Sequence, residues 1–308
     1  MKSFFKSILC FFICSFLLSA CDGFDFTNNN TDTDQDNPDS GNQTPDPDEP
    51  SLDLTKDLIT CIAIYSMTDA DADGIPDTKG NISNLQIIEY GEDRQIISTL
   101  WCYAPDDPDS SLWDMYLQTL VRKEDKSATL CRSAEYMQDS QTPLYDSWEL
   151  ETGFDENGNI LREPWWLDND GTYMEYSYSA DNRLNTMTFK SYTDPQYEDE
   201  VHSVVWNDGN IVDLGGTLVT YTQYPMNHKG FDLSTYFIME HWIIPGASCR
   251  GVFSKNLPHT VDETEYMYGF DEQGRVNEVT IPRNEEIVEF YYGNQLPDNL
   301  PFIPEFPL

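Results

Sequence analysis

The chain has 308 residues, of which 39% are hydrophobic and 13% aromatic, enough to bury the core of one large domain or two small ones. Acidic residues outnumber basic ones by 55 to 17, a formal charge of −38 with a sequence pI near 4.1. Such a surface repels phosphate backbones and anionic headgroups, so nucleic acid is excluded as a partner.

In chain order, Lys2 and Lys6 precede an almost unbroken apolar run from Ile8 to Leu18, and Leu18-Ser19-Ala20-Cys21 closes it with small residues before a cysteine. Residues 1–20 thus have the layout of a secretory signal, too short to stay behind as a spanning helix. The four closing residues resemble the lipobox of bacterial lipoproteins. That resemblance implies that Cys21 is acylated, that the chain is cut just before it, and that the protein sits in the cell envelope, at the outer membrane, with the periplasmic and external faces both open. Two or three acyl chains, at about 0.8 kcal/mol per buried CH₂, anchor a domain durably. Cleavage removes two lysines and no acid, leaving 55 acidic against 15 basic residues, or −40. Within residues 21–52, positions 27–50 carry no aromatic, aliphatic or basic side chain, so they cannot offset chain entropy by burial and read as a disordered acidic tether.

Residues 53–295 repeat one theme, short runs of β-branched and aromatic residues separated by Asp, Asn and Gly. Examples are Leu58 to Tyr65, Leu85 to Tyr90 and Gln95 to Trp101. In Glu265 to Phe270 the alternation puts Tyr266, Tyr268 and Phe270 on one face. No helical stripe with caps stands out, and connections are short. The expected fold is therefore all-β, an antiparallel up-and-down meander of successive hairpins in one curved or barrel-like domain. Residues 296–308 carry proline every third or fourth position and read as an extended tail that packs Phe302 and Phe306 on the domain edge, or as an exposed docking strip.

Several hairpins look alike. Phe270-Asp271-Glu272-Gln273-Gly274-Arg275-Val276 aligns without a gap to Phe154–Ile160 and to Tyr178–Leu184, and Trp206–Ile211 is a shorter variant. Asp or Ser folds back on the backbone, and Gly or Asn takes the positive φ that closes the turn. These segments resemble the tyrosine/aspartate (YD, RHS-type) repeats of bacterial surface proteins. With the lipobox and the tether, the whole resembles a family of uncharacterised bacterial lipoproteins whose domain of unknown function is described as porin-like. The resemblance implies a soluble β meander held by a lipid. A membrane-spanning barrel fits poorly, because its strands need about ten residues with a lipid-facing apolar row and acids are spread throughout this region.

Asp69-Ala70-Asp71-Ala72-Asp73-Gly74-Ile75-Pro76-Asp77 is the sharpest motif. Three alternating carboxylates repel unless a hard cation neutralises them; Asp69, Asp71, Asp73, the Ile75 carbonyl and Asp77 supply oxygens for Ca²⁺, and Gly74 allows the turn. The pattern resembles the calcium loops of thrombospondin type-3 repeats, in a single copy. A solvated acidic loop is the competing reading.

Cys61, Cys102, Cys131 and Cys249 remain after processing; they permit two disulfides in three pairings or stand as buried thiols. Trp165-Trp166 and Tyr291-Tyr292 place neighbouring rings on opposite faces, which suits either sugar stacking or core packing. Gly246 to Gly251 is close to a nucleophile elbow, but Arg250 stands where glycine is needed. His202, His228, His241 and His259 show no paired spacing. With no nucleophile and base in sight, the leading expectation is a binding or adhesive envelope module for a glycan or protein ligand, not an enzyme; a surface glycan hydrolase and a structural envelope component are the alternatives.

Overall fold

The computed structural model describes residues 56–71, 76–91, 94–105, 112–123, 129–137, 148–164, 172–191, 196, 198–226, 230–239, 245, 247–293, 295–298 and 300. The signal-like segment, Cys21, the tether, Phe302 and Phe306 lie outside these, as do Asp73, Ile75, Trp165, Trp166, His228 and His241.

The chain begins with β1 (Ile59–Thr68), β2 (Thr78–Tyr90), β3 (Ile96–Tyr103), β4 (Asp114–Arg122), β5 (Thr129–Met137) and β6 (Trp148–Glu151). It continues with β7 (Arg162–Pro164), β8 (Thr172–Tyr178), β9 (Leu184–Ser191), β10 (Glu200–Asn207), β11 (Asn210–Leu214) and β12 (Thr217–Pro225). The helix α1 (Leu233–Ile238) leads to β13 (Asn256–Val261), β14 (Thr264–Glu265), β15 (Met267–Phe270), β16 (Val276–Ile281) and β17 (Glu286–Tyr292). Every pairing is antiparallel and nearly all join sequence neighbours, as the meander requires; β17 returns to pair with β1. The strands form two sheets, β15-β16-β17-β1-β2-β3-β4-β5-β6 and β14-β13-β12-β11-β10-β9-β8-β7, and neither closes into a barrel.

The sheets part at two seams. At one, a single residue, Tyr266, separates β14, bonded to β13, from β15, bonded to β16, and its N–H donates to His259 O at 2.9 Å. At the other, the hairpin Phe154–Ile160 carries the chain from β6 to β7, with Leu161 N–H donating to Gly153 O and Tyr176 N–H to Leu161 O.

The three aligned turns share one geometry. Asp155 N–H donates to Asn159 O, Ser179 N–H to Arg183 O and Asp271 N–H to Arg275 O, each at 2.9 Å. Asp155 Oδ1 accepts from Asn157 and Asn159 N–H, Asp271 Oδ1 from Gln273 and Arg275 N–H, and Ser179 Oγ from Arg183 N–H. Gly158, Asn182 and Gly274 take the left-handed conformation that closes each turn, at φ +79°, +64° and +75°.

The expected single aromatic face from Glu265 to Phe270 does not form. A register shift between Gly269 and Phe270 turns the strand over, so Tyr266 is buried, Tyr268 is half-buried and Phe270 faces outward. The helix is a second departure from the sequence expectation. Its six residues are too few to display a stripe and Leu233–Phe237 are all buried, so no polar face marks it. Asp232 caps it, accepting from Ser234 N–H at 2.7 Å, and its other oxygen accepts from Ser254 N–H at 2.7 Å.

The main core joins Ile62, Ile64, Val288 and Phe290 of the first sheet to Val219, Leu257 and Val261 of the second, with Phe231, Leu233, Tyr236 and Phe237 filling the space between. A second cluster, including Cys61, Ala63, Leu85, Leu100, Cys102 and Met115, lies on the other face of the first sheet, and Leu300 packs against it. Strand β1 is therefore buried on both faces, which is why it reads as an unbroken apolar run.

Candidate functional site

At the Tyr266 seam an open cleft of about 910 Å³ lies between the start of β12, the end of β13, the helix and the turn before β17. Phe237 and Tyr266 form its buried floor, their rings 4.3 Å apart by centroid. Its walls carry hydroxyls from Thr217 and Thr264, the amide of Asn284, and the side chains of Asp262, Glu263, Arg283 and Glu286. Each wall is set by local structure. Asp262, at φ +50°, turns β13 into β14 and accepts Leu218 N–H at 2.9 Å; Pro282–Asn284 form a short 3₁₀ turn that delivers Glu285 in the left-handed conformation and Glu286 to the first position of β17.

The charges are unequal. Arg283 pairs with Glu263 at 3.1 Å, leaving Asp262 and Glu286 in excess. Burial pushes the Glu286 carboxyl above its ordinary range, against the opposing effect of the Asn284 amide, which donates at 3.2 Å. Burial, helped by Glu286 and Asp262, likewise pushes the Tyr266 phenol up. A half-buried carboxyl, flanking hydroxyls and an amide offer hydrogen bonds to a hydroxylated or amine-bearing ligand and repel an anion.

The buried pair of Glu163 and Arg250 is different in kind. Arg250 Nε and Nη2 donate to Glu163 Oε2 at 3.1 and 2.8 Å, Tyr176 Oη donates to the same oxygen, and both side chains are sealed, at 4% and 0% exposure. Such enclosure leaves a ligand no approach. The pair ties β7 to the chain directly after the 3₁₀ turn Ala247–Cys249. That turn is the elbow-like segment: Ser248 Oγ accepts Ile96 N–H at 2.9 Å, so its hydroxyl is engaged in holding β3.

The sequence-predicted residues scatter. Tyr292 is buried, donates to Val276 O at 2.8 Å and has the Arg275 guanidinium 4.0 Å over its ring, so it offers no face for stacking. Tyr291 is half-buried; its hydroxyl bonds Glu289 and lies 3.3 Å from that of Tyr65, whose phenol burial pushes up to about 12. None of Cys61, Cys102, Cys131 and Cys249 is in a disulfide. Cys61 pairs in register with Ile87 and Cys102 with Leu85, so the intervening β2 and a two-residue offset along it separate their Cα atoms by roughly 11–12 Å, beyond the reach of about 7 Å for a bridge. Asp69, Asp71 and Asp77 follow β1 and precede β2, with Asp77 accepting from the Thr78 hydroxyl at 3.0 Å. Among the described residues no three His, Cys, Asp or Glu side chains gather as a metal set, and Asp73 and Ile75 are not among them. His202 lies 3.2 Å from Glu200, and His259 lies 3.7 Å from Glu265.

The cleft residues escape a reading of the sequence because they come from four separate stretches. Their local sign is slight: Asp262-Glu263 and Arg283-Asn284 stand at turns flanking regular strands.

No family model matches the chain, and no curated protein does. Among solved structures, a porin-like protein from Bacteroides uniformis ATCC 8492 is similar at 12% identity and a TM-score of 0.30, over 76% of this chain and 97% of that one. At that level the likeness says nothing about ligand or activity.

Proposed function

We propose that the protein is a lipid-anchored envelope protein whose β domain binds a neutral or amine-bearing glycan in the cleft at the Tyr266 seam. The observation that carries this reading is the lining itself, in which hydroxyls, an amide and a surplus of carboxylates surround an open hollow while the cation among its described residues, Arg283, is paired. Sugars are recognised by such planar and hydroxyl hydrogen-bonding groups, and polyanions are turned away by the same charge. The lipobox-like Leu18–Cys21 and the acidic tether supply the anchor and the reach.

A second reading, a glycan hydrolase, draws on one feature. Glu286, pushed up by burial, has the property of a general acid, and Asp262 and Glu263 stand in the same cleft as partner carboxylates.

A glycan array probed with the full-length protein, read for both retention and release of reducing ends, tests both. Retention on neutral or amino glycans, weakened about tenfold by Glu286→Gln, supports the binding role. Turnover abolished by the same variant selects the hydrolase. Retention confined to acidic glycans, or none at all, overturns the cleft assignment.

A further inference from the structure

The seam continues past the cleft. From Leu218 at the cleft rim, β12 runs toward Tyr224; Val219 enters the core while Leu218 and Thr220 face outward, and beyond the register shifts that follow Thr220 and Tyr221 the end of the strand is open again at Tyr224, with 59% exposure for Leu218 and 54% for Tyr224. Thr220 and Thr260, opposite each other on β12 and β13, share a 2.8 Å hydroxyl contact on that outer face. At the far end the Tyr224 ring meets that of Phe270 across the seam, with centroids 5.0 Å apart and planes at 59°. Phe270, 38% exposed, belongs to the other sheet and is turned outward by the register shift at Gly269. Two large rings left open to water beside each other are unusual on a surface of this charge, and they form a platform of the kind that stacks on pyranose rings.

We propose that this seam is an extended track for a neutral oligosaccharide chain, held by the cleft at one end and by the Tyr224–Phe270 platform at the other. The inference rests on the glycan reading of the cleft and adds the length of the ligand. Leu218 and Tyr224 lie six positions apart on a bulged strand, roughly 15–20 Å at up to about 3.3 Å per residue, a span that takes several pyranose rings end to end. Hydroxyls and rings line most of it, and the carboxylate of Glu265, opposite Thr260, adds an acceptor, so an uncharged chain finds hydrogen-bond partners along the way whereas a polyuronate would face this carboxylate and those of the cleft.

The test is calorimetric titration of the full-length protein with neutral oligosaccharides of increasing length, in the β-1,4-glucose, α-1,4-glucose and β-1,4-N-acetylglucosamine series, and with a polyuronate. Affinity is expected to rise with length until the span is filled. Tyr224→Ala and Phe270→Ala, both at exposed positions, should weaken the longer oligosaccharides about tenfold each and leave the monomer unchanged, whereas Glu286→Gln should weaken every length. Equal affinity for monomer and long chain, or long-chain binding indifferent to both ring variants, overturns the track while the cleft reading stands. Absence of binding in every series, or tighter binding of the polyuronate, overturns both.

Discussion

Asp271 shows how a single side chain sets a turn. Its Oδ1 takes the N–H groups of Gln273 and Arg275 while its Oδ2 takes the Arg275 guanidinium at 2.8 Å, so backbone and side chain of one arginine close on one carboxylate. Partial burial pushes that carboxyl up, but the Arg275 and Gln273 donors outweigh it and hold it below the ordinary range. A carboxylate held low contributes stability above the ordinary value near 4 and loses it as pH falls through its own lower value. Denaturant titrations should therefore find Asp271→Asn less stable than wild type at pH 7, with the difference shrinking as pH drops below about 4. Asp155→Ala, which removes an acceptor of two backbone N–H groups and the Asn159 amide, should cost about 1–3 kcal/mol. A difference at Asp271 that grows on acidification would contradict the assignment of its charged form to the turn.

At the scale of elements, strands and turns are legible in sequence where their chemistry is local, and obscure where it is not. The Phe154–Ile160, Tyr178–Leu184 and Phe270–Val276 turns share residues and share geometry, because each closes on atoms within five positions. The face of Glu265–Phe270 could not be read, since the shift at Gly269 is decided by pairing with β16. The Glu163–Arg250 contact, 87 positions apart, is equally hidden. Removing one partner strands the other in the interior, so Glu163→Gln or Arg250→Met alone should cost about 3–5 kcal/mol in urea denaturation, and the double variant should cost less than the sum. Strict additivity would show that the pair is not coupled. β1 and β2 pair as far as Thr68 and Thr78, with register shifts beyond Ile64, and we propose on the Asp69-x-Asp71-x-Asp73 spacing in the sequence that the segment joining them takes a hard cation. Calorimetric titration should detect Ca²⁺ binding in the range of about 10⁻⁴–10⁻³ M in wild type and lose it in Asp71→Ala. Silence in both would leave a solvated loop.

For the whole molecule, the two seams and the return of β17 to β1 make one body whose N-terminal strand lies deep in the first sheet, while the segment before it leads back to Cys21. A 32-residue segment such as 21–52 would reach about 30 Å as a flexible coil and up to about 100 Å when extended by proline and charge repulsion, the reach its composition leads one to expect. Residues 53–308 carry 46 acidic against 15 basic side chains, a formal charge of −31 that an anionic surface repels, so on the lipid-anchored reading proposed above the acidic segment would hold the cleft and ring platform away from the membrane. Mass spectrometry of the mature N-terminal peptide should find an acylated Cys21, and Cys21→Ser should move the protein from the membrane to the soluble fraction. Deleting residues 27–50 should leave acylation and ligand affinity in solution intact, yet reduce capture of an immobilised polymeric glycan by intact cells or membrane vesicles, because only the reach has changed. An unmodified Cys21 in a freely soluble product removes the anchor, and undiminished capture after the deletion removes the tether's part in presenting the site.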